Sequence, residues 1–258
     1  MFKIKNTIKF TGAALLLATS FLSQATVVEV QTSLGNIQIN LFDETTPKTV
    51  ENFLSYVNSG QYANSVVHRS IPEFITQSGG YTYTGPLNDN NGLELIDTSG
   101  GPVVNEPELS NLRGTIAMAK LGGDPNSATS GWFFNLVDNS ANLDVQNGGF
   151  TVFGQVIGDG MDVVDAIAAL PREGEYPIIK AIEDGVDITD ENLVVITDIV
   201  VTDATVVTNP DLNPAPNTLI NASPGGNTGD DSSSGGGSFV WLSLFAALGL
   251  SRYFRRKK

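Results

Sequence analysis

The stretch Val67-His68-Arg69-Ser70-Ile71-Pro72-Glu73-Phe74-Ile75-Thr76-Gln77-Ser78-Gly79-Gly80 sets the reading of the whole chain. Its apolar runs belong to two strand candidates, 65–69 and 74–77, bounded by turn signals. The same pattern continues on both sides. Upstream, 26–32 and 36–42 are strand-like and flank Ser33-Leu34-Gly35, which predicts a hairpin. Between that hairpin and the quoted stretch lies the clearest helix. Thr46 is a candidate N-cap, Pro47 suits the first helical position and Gly60 suits the exit. Val50, Phe53, Leu54 and Val57 fall on one apolar stripe. Downstream, 115–119, 132–136, 151–157, 178–182 and 193–201 read as strands. A second helix over 161–170 carries Val164, Ile167 and Ala168 on one side and stops at Pro171. The long polar segment 81–111 reads as a surface loop. Seven to nine short strands with two helices predict a mainly β domain, a closed barrel or a sandwich, over 26–204.

The chain has 258 residues, 41% hydrophobic and 16% charged, enough to bury a real core. All 28 acids lie within 26–238, which holds only six of the 14 bases, so this middle carries a net charge of −22. Such a surface repels phosphate backbones and argues against a nucleic-acid partner. The absence of cysteine removes disulfides, thiol catalysis and thiolate metal sites. A single histidine, His68, leaves little material for a zinc enzyme or a Ser-His-Asp triad.

The two ends read as addresses. In 1–25, three lysines precede an apolar stretch, and Ser23-Gln24-Ala25 supplies a small-x-small cleavage site, the pattern of a secretory signal peptide. Residues 205–238 form an acidic Gly/Ser/Asn/Pro-rich linker. Residues 239–258 are a short hydrophobic segment followed by a basic tail. Twelve apolar-leaning residues give a helix of roughly 18 Å against a hydrocarbon core of about 30 Å. This order resembles the GlyGly-CTERM sorting tails of exported proteobacterial proteins. The resemblance implies membrane contact through the C-terminal segment before cleavage near the glycines; the alternative is a plain anchor left uncut. The expected location is the periplasm, with a membrane-anchored, cell-surface or secreted end state set by tail processing.

Identity is carried by several motifs in series. After Pro47-Lys48-Thr49-Val50-Glu51-Asn52-Phe53 and the stretch quoted first come Asn105-Glu106-Pro107 and Arg113-Gly114-Thr115-Ile116-Ala117-Met118-Ala119. Then follow Ser127-Ala128-Thr129-Ser130-Gly131-Trp132-Phe133-Phe134-Asn135 and Val152-Phe153-Gly154-Gln155-Val156. Together they resemble the cyclophilin-type peptidyl-prolyl cis-trans isomerases, bacterial periplasmic members above all, over about 27–203. The resemblance implies a closed eight-stranded antiparallel barrel capped by two α-helices. It also implies proline-containing polypeptides as partners, no cofactor or metal, and a monomer.

The implied chemistry needs little equipment. An X-Pro amide rotates across a barrier of about 18–20 kcal/mol because resonance keeps it planar. A catalyst needs an apolar slot for the proline ring and a donor that stabilises the twisted amide. Arginine, a permanently charged fork of donors, suits the second role. By resemblance Arg69 is that catalytic donor. Phe74, Ile75, Phe133 and Leu143 would form the proline pocket, with Phe150 at its rim. Gln77 would bind substrate or orient Arg69, and the main chain at Ala119-Lys120 would pair with the peptide. His68 reads as a buried barrel-wall residue pointing inward rather than a general base. The pattern departs from the family at Gly131, where Gln is usual, near Asn142, where an aromatic is common, at Phe150, where His or Tyr is usual, and at Ser78, which replaces a glycine. Two other readings stand beside the enzyme: a proline-binding, chaperone-like module without turnover, which Gly131 favours, and a structural surface protein whose barrel spaces the tail.

Overall fold

A computed structural model describes residues 26–87, 92–183, 186–204 and 212–221. The stretches read as a signal peptide, 1–25, and as an apolar segment with a basic tail, 239–258, lie outside these residues. No helix among the described residues is long and apolar enough to cross a membrane.

In chain order the elements are β1 (Val27–Thr32), β2 (Gly35–Leu41), α1 (Pro47–Asn58), β3 (Ser65–Val66), β4 (Arg69–Ile71), β5 (Ile75–Ser78), β6 (Tyr81–Tyr83) and β7 (Leu93–Leu95). They continue with β8 (Thr115–Met118), β9 (Trp132–Asn135), α2 (Ser140–Leu143), β10 (Val152–Ile157), α3 (Gly160–Ala168), β11 (Arg172–Glu173), β12 (Tyr176–Pro177) and β13 (Val195–Asp203). The protein is mainly β with few helices. Where a closed barrel of eight strands was expected, the hydrogen-bonded order is that of a curled antiparallel sheet of eleven, β4-β5-β9-β8-β10-β2-β1-β13-β3-β6-β7. The higher count has a local cause. The run 65–71 breaks at Val67-His68, the run 75–83 breaks at Gly79-Gly80, and β7 is an addition within the segment read as loop. At the second break Gly79 has φ +75°, and a Cβ there would sit 2.6 Å from the Ser130 carbonyl oxygen and the Trp132 ring. Only glycine fits there. The Ser78 hydroxyl donates to the Val66 carbonyl at 2.8 Å, tying the two breaks together.

The strand alternation sorts side chains to two faces. Val28, Val30, Ile37, Ile39, Leu41, Ile116, Met118, Trp132, Phe134 and Phe153 enter the main core, where α1 adds Val50, Phe53 and Val57 and α3 adds Val164 and Ile167. The opposite face of β5, β9, β8 and β10, four consecutive strands of the sheet, carries Ile75, Phe133, Ala117 and Val152 into a second cluster. That face holds the candidate site.

The first helix begins and ends as the sequence predicts, but Thr46 makes no side-chain cap. Its hydroxyl donates to the Phe42 carbonyl instead. The free N–H groups of Lys48 and Thr49 donate to the Glu106 carboxylate, at 3.3 and 2.9 Å, so a side chain far along the chain caps α1 and brings negative charge to its positive end. A short helix, α2, appears where none was expected. The strand expected over 178–182 reduces to one bridge, Ile178 to Leu193, because Ile178 and Ile179 donate to the Pro171 and Asn192 carbonyls. Residues 212–221, within the stretch read as linker, pack on the domain through a bridge between Pro216 and Leu109.

Candidate active site

Arg69 sits in β4 directly across from Gln77 in β5, and Gln77 in turn pairs with Phe133 in β9. This register puts the guanidinium beside the second cluster. The side chain is buried along its length and held at two points. Nη1 donates to Gln77 Oε1 at 3.4 Å, and Nε donates to Glu175 Oε2 at 3.1 Å. Glu175 is brought there by the β11–β12 hairpin, whose turn accepts the Ser70 N–H at the Glu175 carbonyl, 2.8 Å. Nη2 carries no hydrogen bond to any described residue, so it is free to meet a ligand.

The apolar residues named from the sequence meet in one place. Ile75, Ala119, Phe133, Leu143 and Phe150 share a buried cluster, and Phe74 packs on it while keeping partial exposure. Phe42, Leu109, Ala117 and Val152 complete the cluster and were not foreseen in it. The Phe133 and Phe150 rings meet edge to face at 5.9 Å. The Phe74 carbonyl accepts from Leu136 N–H and Asn139 Nδ2, both at 2.9 Å, which fixes the backbone of the pocket's exposed edge. The Ala119 N–H already donates to the Gly131 carbonyl at 2.9 Å, so that donor is not available to a peptide. At Gly131 a Cβ would lie 3.4 Å from the Ala119 Cβ, ordinary contact, so the glycine leaves unfilled room beside the cluster.

The loop from Asp144 to Gly149 joins Leu143 to Phe150 and is pinned from beneath. Asp144 is buried and accepts from the Ser110 hydroxyl, the Asn111 N–H and Asn111 Nδ2. Asn111 Nδ2 also reaches the Phe150 carbonyl at 3.0 Å. Lys120 threads under the loop and donates to the carbonyls of Asn147, at 2.9 Å, and Gly149. Its Nζ lies 4.6 Å from the centre of the Phe150 ring, a cation–π contact. Burial pulls the Lys120 ammonium down to about 8, against the opposing charge of Asp124. The expectation for this stretch concerned its main chain; the side-chain role of Lys120 has no local signature in sequence. Glu175 was missed for the same reason.

His68, next to Arg69, is fully buried, as expected of a structural histidine. Its ring meets Tyr81 edge to face at 5.0 Å, so it lies against a third buried cluster, formed by Tyr81 with Val66, Leu93, Tyr176 and Leu193 among others, rather than in the main core. Burial lowers its pKa to about 4, with the Arg69 charge acting in the same direction. A neutral, sealed imidazole does not suit general acid–base work at neutral pH.

Comparison with known proteins gives the family. The family described as cyclophilin type peptidyl-prolyl cis-trans isomerase/CLD matches residues 27–190. A peptidyl-prolyl cis-trans isomerase of Acinetobacter baylyi is 42% identical over 149 residues, covering 57% of this chain and 73% of that protein. Peptidyl-prolyl cis-trans isomerase B of Escherichia coli is 40% identical over 158 residues, covering 58% and 90%. A crystal structure of a cyclophilin-type isomerase from Cryptosporidium parvum superposes with a TM-score of 0.53 at 27% identity, covering 69% of this chain and 98% of that one. The same protein crystallised in the presence of the dipeptide Ala-Pro gives 0.52. With its fold, its arginine over an apolar cluster and a match running from β1 into the segment before β13, the chain belongs to the cyclophilin family of peptidyl-prolyl cis-trans isomerases.

Proposed function

We propose that the protein is an exported peptidyl-prolyl cis-trans isomerase that acts on proline-containing segments of folding polypeptides. The observation that carries the reading is the juxtaposition of the Arg69 guanidinium with the Ile75–Phe133–Leu143–Phe150 cluster. Of the five guanidinium donors, one on Nε and one on Nη1 are taken by Glu175 and Gln77, which fix the plane of the fork. The other three, one on Nη1 and two on Nη2, have no acceptor among the described residues. As the X-Pro bond twists, its nitrogen loses conjugation and gains a lone pair. A fixed donor aimed at that lone pair stabilises the twisted state more than either planar one, which is what lowers the barrier. Phe74 offers the exposed apolar edge on which a proline ring can seat. No bond to carbon is made or broken, and no proton is transferred.

We also infer that the sheet's ends meet. Counting 65–71 and 75–83 as single interrupted strands, the pairings β4–β5, β3–β6 and β3–β13 join the two ends through the same two runs, which supports an eight-stranded ring with β7 as an extra edge.

A role in folding is tested on a client whose slow refolding phase is set by prolyl isomerisation, tens to hundreds of seconds uncatalysed. Substoichiometric amounts of this protein should shorten that phase. An unchanged slow phase alongside turnover of a short peptide would sink the folding role and leave the chemistry standing.

Export rests on the two ends of the sequence. The expected mature protein starts at Thr26 and ends near 235–238, read by intact mass from its native host. Retention of Lys258 would instead mark a plain anchor.

A further inference from the structure

The segment Leu212-Asn213-Pro214-Ala215-Pro216-Asn217-Thr218-Leu219-Ile220-Asn221 lies beyond the part of the chain that the family matches, yet it is bonded to the candidate site's rim. It runs antiparallel to residues 108–110. The Ser110 N–H donates to the Ala215 carbonyl at 2.9 Å, and the Asn217 N–H donates to the Glu108 carbonyl at 2.8 Å. The Asn217 side chain then crosses to the next segment: Nδ2 donates to the Asp144 carbonyl at 3.0 Å, while Oδ1 accepts the Leu219 N–H at 2.9 Å. The N–H, Nδ2 and Oδ1 of Asn217 are all used. Further on, the Ile220 Cδ1 sits 3.0 Å from where a Cβ would stand on Gly149. Gly149 has φ +72° and no side chain, so the segment approaches the loop where no Cβ stands in its way.

These contacts fall on the two stretches that carry Leu109, Leu143 and Phe150 into the apolar cluster. Glu108 and Ser110 flank Leu109. Asp144 follows Leu143, and Gly149 precedes Phe150. Lys120 and Asn111 hold this loop from the protein's interior. The 212–221 segment holds it from outside. Loops left with hydrogen bonds on one side only open locally at small cost. A pocket wall that wanders must be re-ordered each time a ligand binds, at the expense of affinity.

We propose that residues 212–221 are a strap that positions the proline pocket's wall, with Asn217 as its positioning residue joining the 108–110 stretch to the 144–149 loop. The functional domain therefore extends to residue 221, and the strap sets how well the site holds a proline peptide rather than how fast the bound amide turns. This rests on the prolyl-isomerase reading for its kinetic consequence, but not for its structural one.

The test is made in the full mature chain with Asn217→Ala, and with Ile220→Ala as a second, independent lesion of the strap. Hydrogen exchange of the amides between 143 and 150 is followed beside steady-state kinetics on an Ala-Pro peptide. Each variant should speed exchange in that loop and raise KM about threefold to tenfold, the size expected for one or two lost hydrogen bonds or one packing contact, with kcat within twofold of the parent. Unchanged loop exchange, or a lowered melting temperature with unchanged KM, overturns the proposal by making the strap a general stabiliser. A fall in KM overturns it in the other direction, since the strap would then obstruct the site. Should the parent itself show no turnover, the isomerase reading fails, and the strap is judged by loop exchange and by the dissociation constant of the same peptide.

Discussion

Acidification from pH 6.5 to 4 is expected to remove roughly 3 kcal/mol of folding stability through His68 alone. The imidazole is sealed against Tyr81, and burial, helped by the neighbouring Arg69 charge, brings its pKa from 6.5 to about 4. The sign follows from which state holds the proton. Above pH 6.5 the imidazole is neutral in both states and the term vanishes. Between 6.5 and about 4 the unfolded chain takes the proton and the folded one does not, so stability falls as pH falls. Below about 4 both are protonated and the loss is complete. Many carboxylates titrate in the same range, so the readout is a difference. Urea unfolding of the parent and of His68→Gln is compared at several pH values, and the gap between their stabilities should shift by the amount above as the pH drops. Parallel curves would mean that His68 reaches solvent or a partner in the folded protein. The same burial that makes His68 a stability sensor removes it from catalysis, so turnover per folded molecule should show no inflection from it near neutrality.

What could be read from the sequence, and what could not, divides by the range of the interaction. The helix at Pro47–Asn58 was legible because its stripe and its proline are local. Strand β9 was legible because three aromatics in a row, Trp132, Phe133 and Phe134, must split between two faces, and the split puts Phe133 in the pocket cluster and the other two in the core. Arg69 and its apolar company were legible as motifs, and the structure gathers them from β4, β5, β9, α2 and the turns beside them. The misses are of another kind. Glu175 reaches Arg69 across 106 positions, and Glu106 caps a helix 57 and 58 positions away; no periodicity carries such pairs. Strands of two or three residues, such as β6 and β7, are too short for alternation to show. The 212–221 strap is polar and proline-bearing, the composition of a linker, because it binds by main-chain hydrogen bonds and one asparagine rather than by a buried apolar face.

Arg69→Ala is expected to cost about 10²–10³-fold in kcat, the usual size for a lost transition-state donor. The fold should tolerate the change. Glu175, its partner, keeps 44% of its side chain exposed and can return to water, so no buried charge is stranded. Gln77 loses one long hydrogen bond. The apolar cluster is untouched, so a proline peptide should still bind. The measurement that decides the matter is two-dimensional exchange NMR on an Ala-Pro peptide, whose cis and trans forms give separate signals and interconvert too slowly to exchange unaided. With a catalytic amount of the parent protein, cross-peaks should appear between the two forms. With an equal amount of folded Arg69→Ala they should vanish, while saturating amounts still perturb the peptide's shifts. Cross-peaks of parental intensity from folded Arg69→Ala, or a parent protein that binds the peptide without exchanging it, would contradict the account.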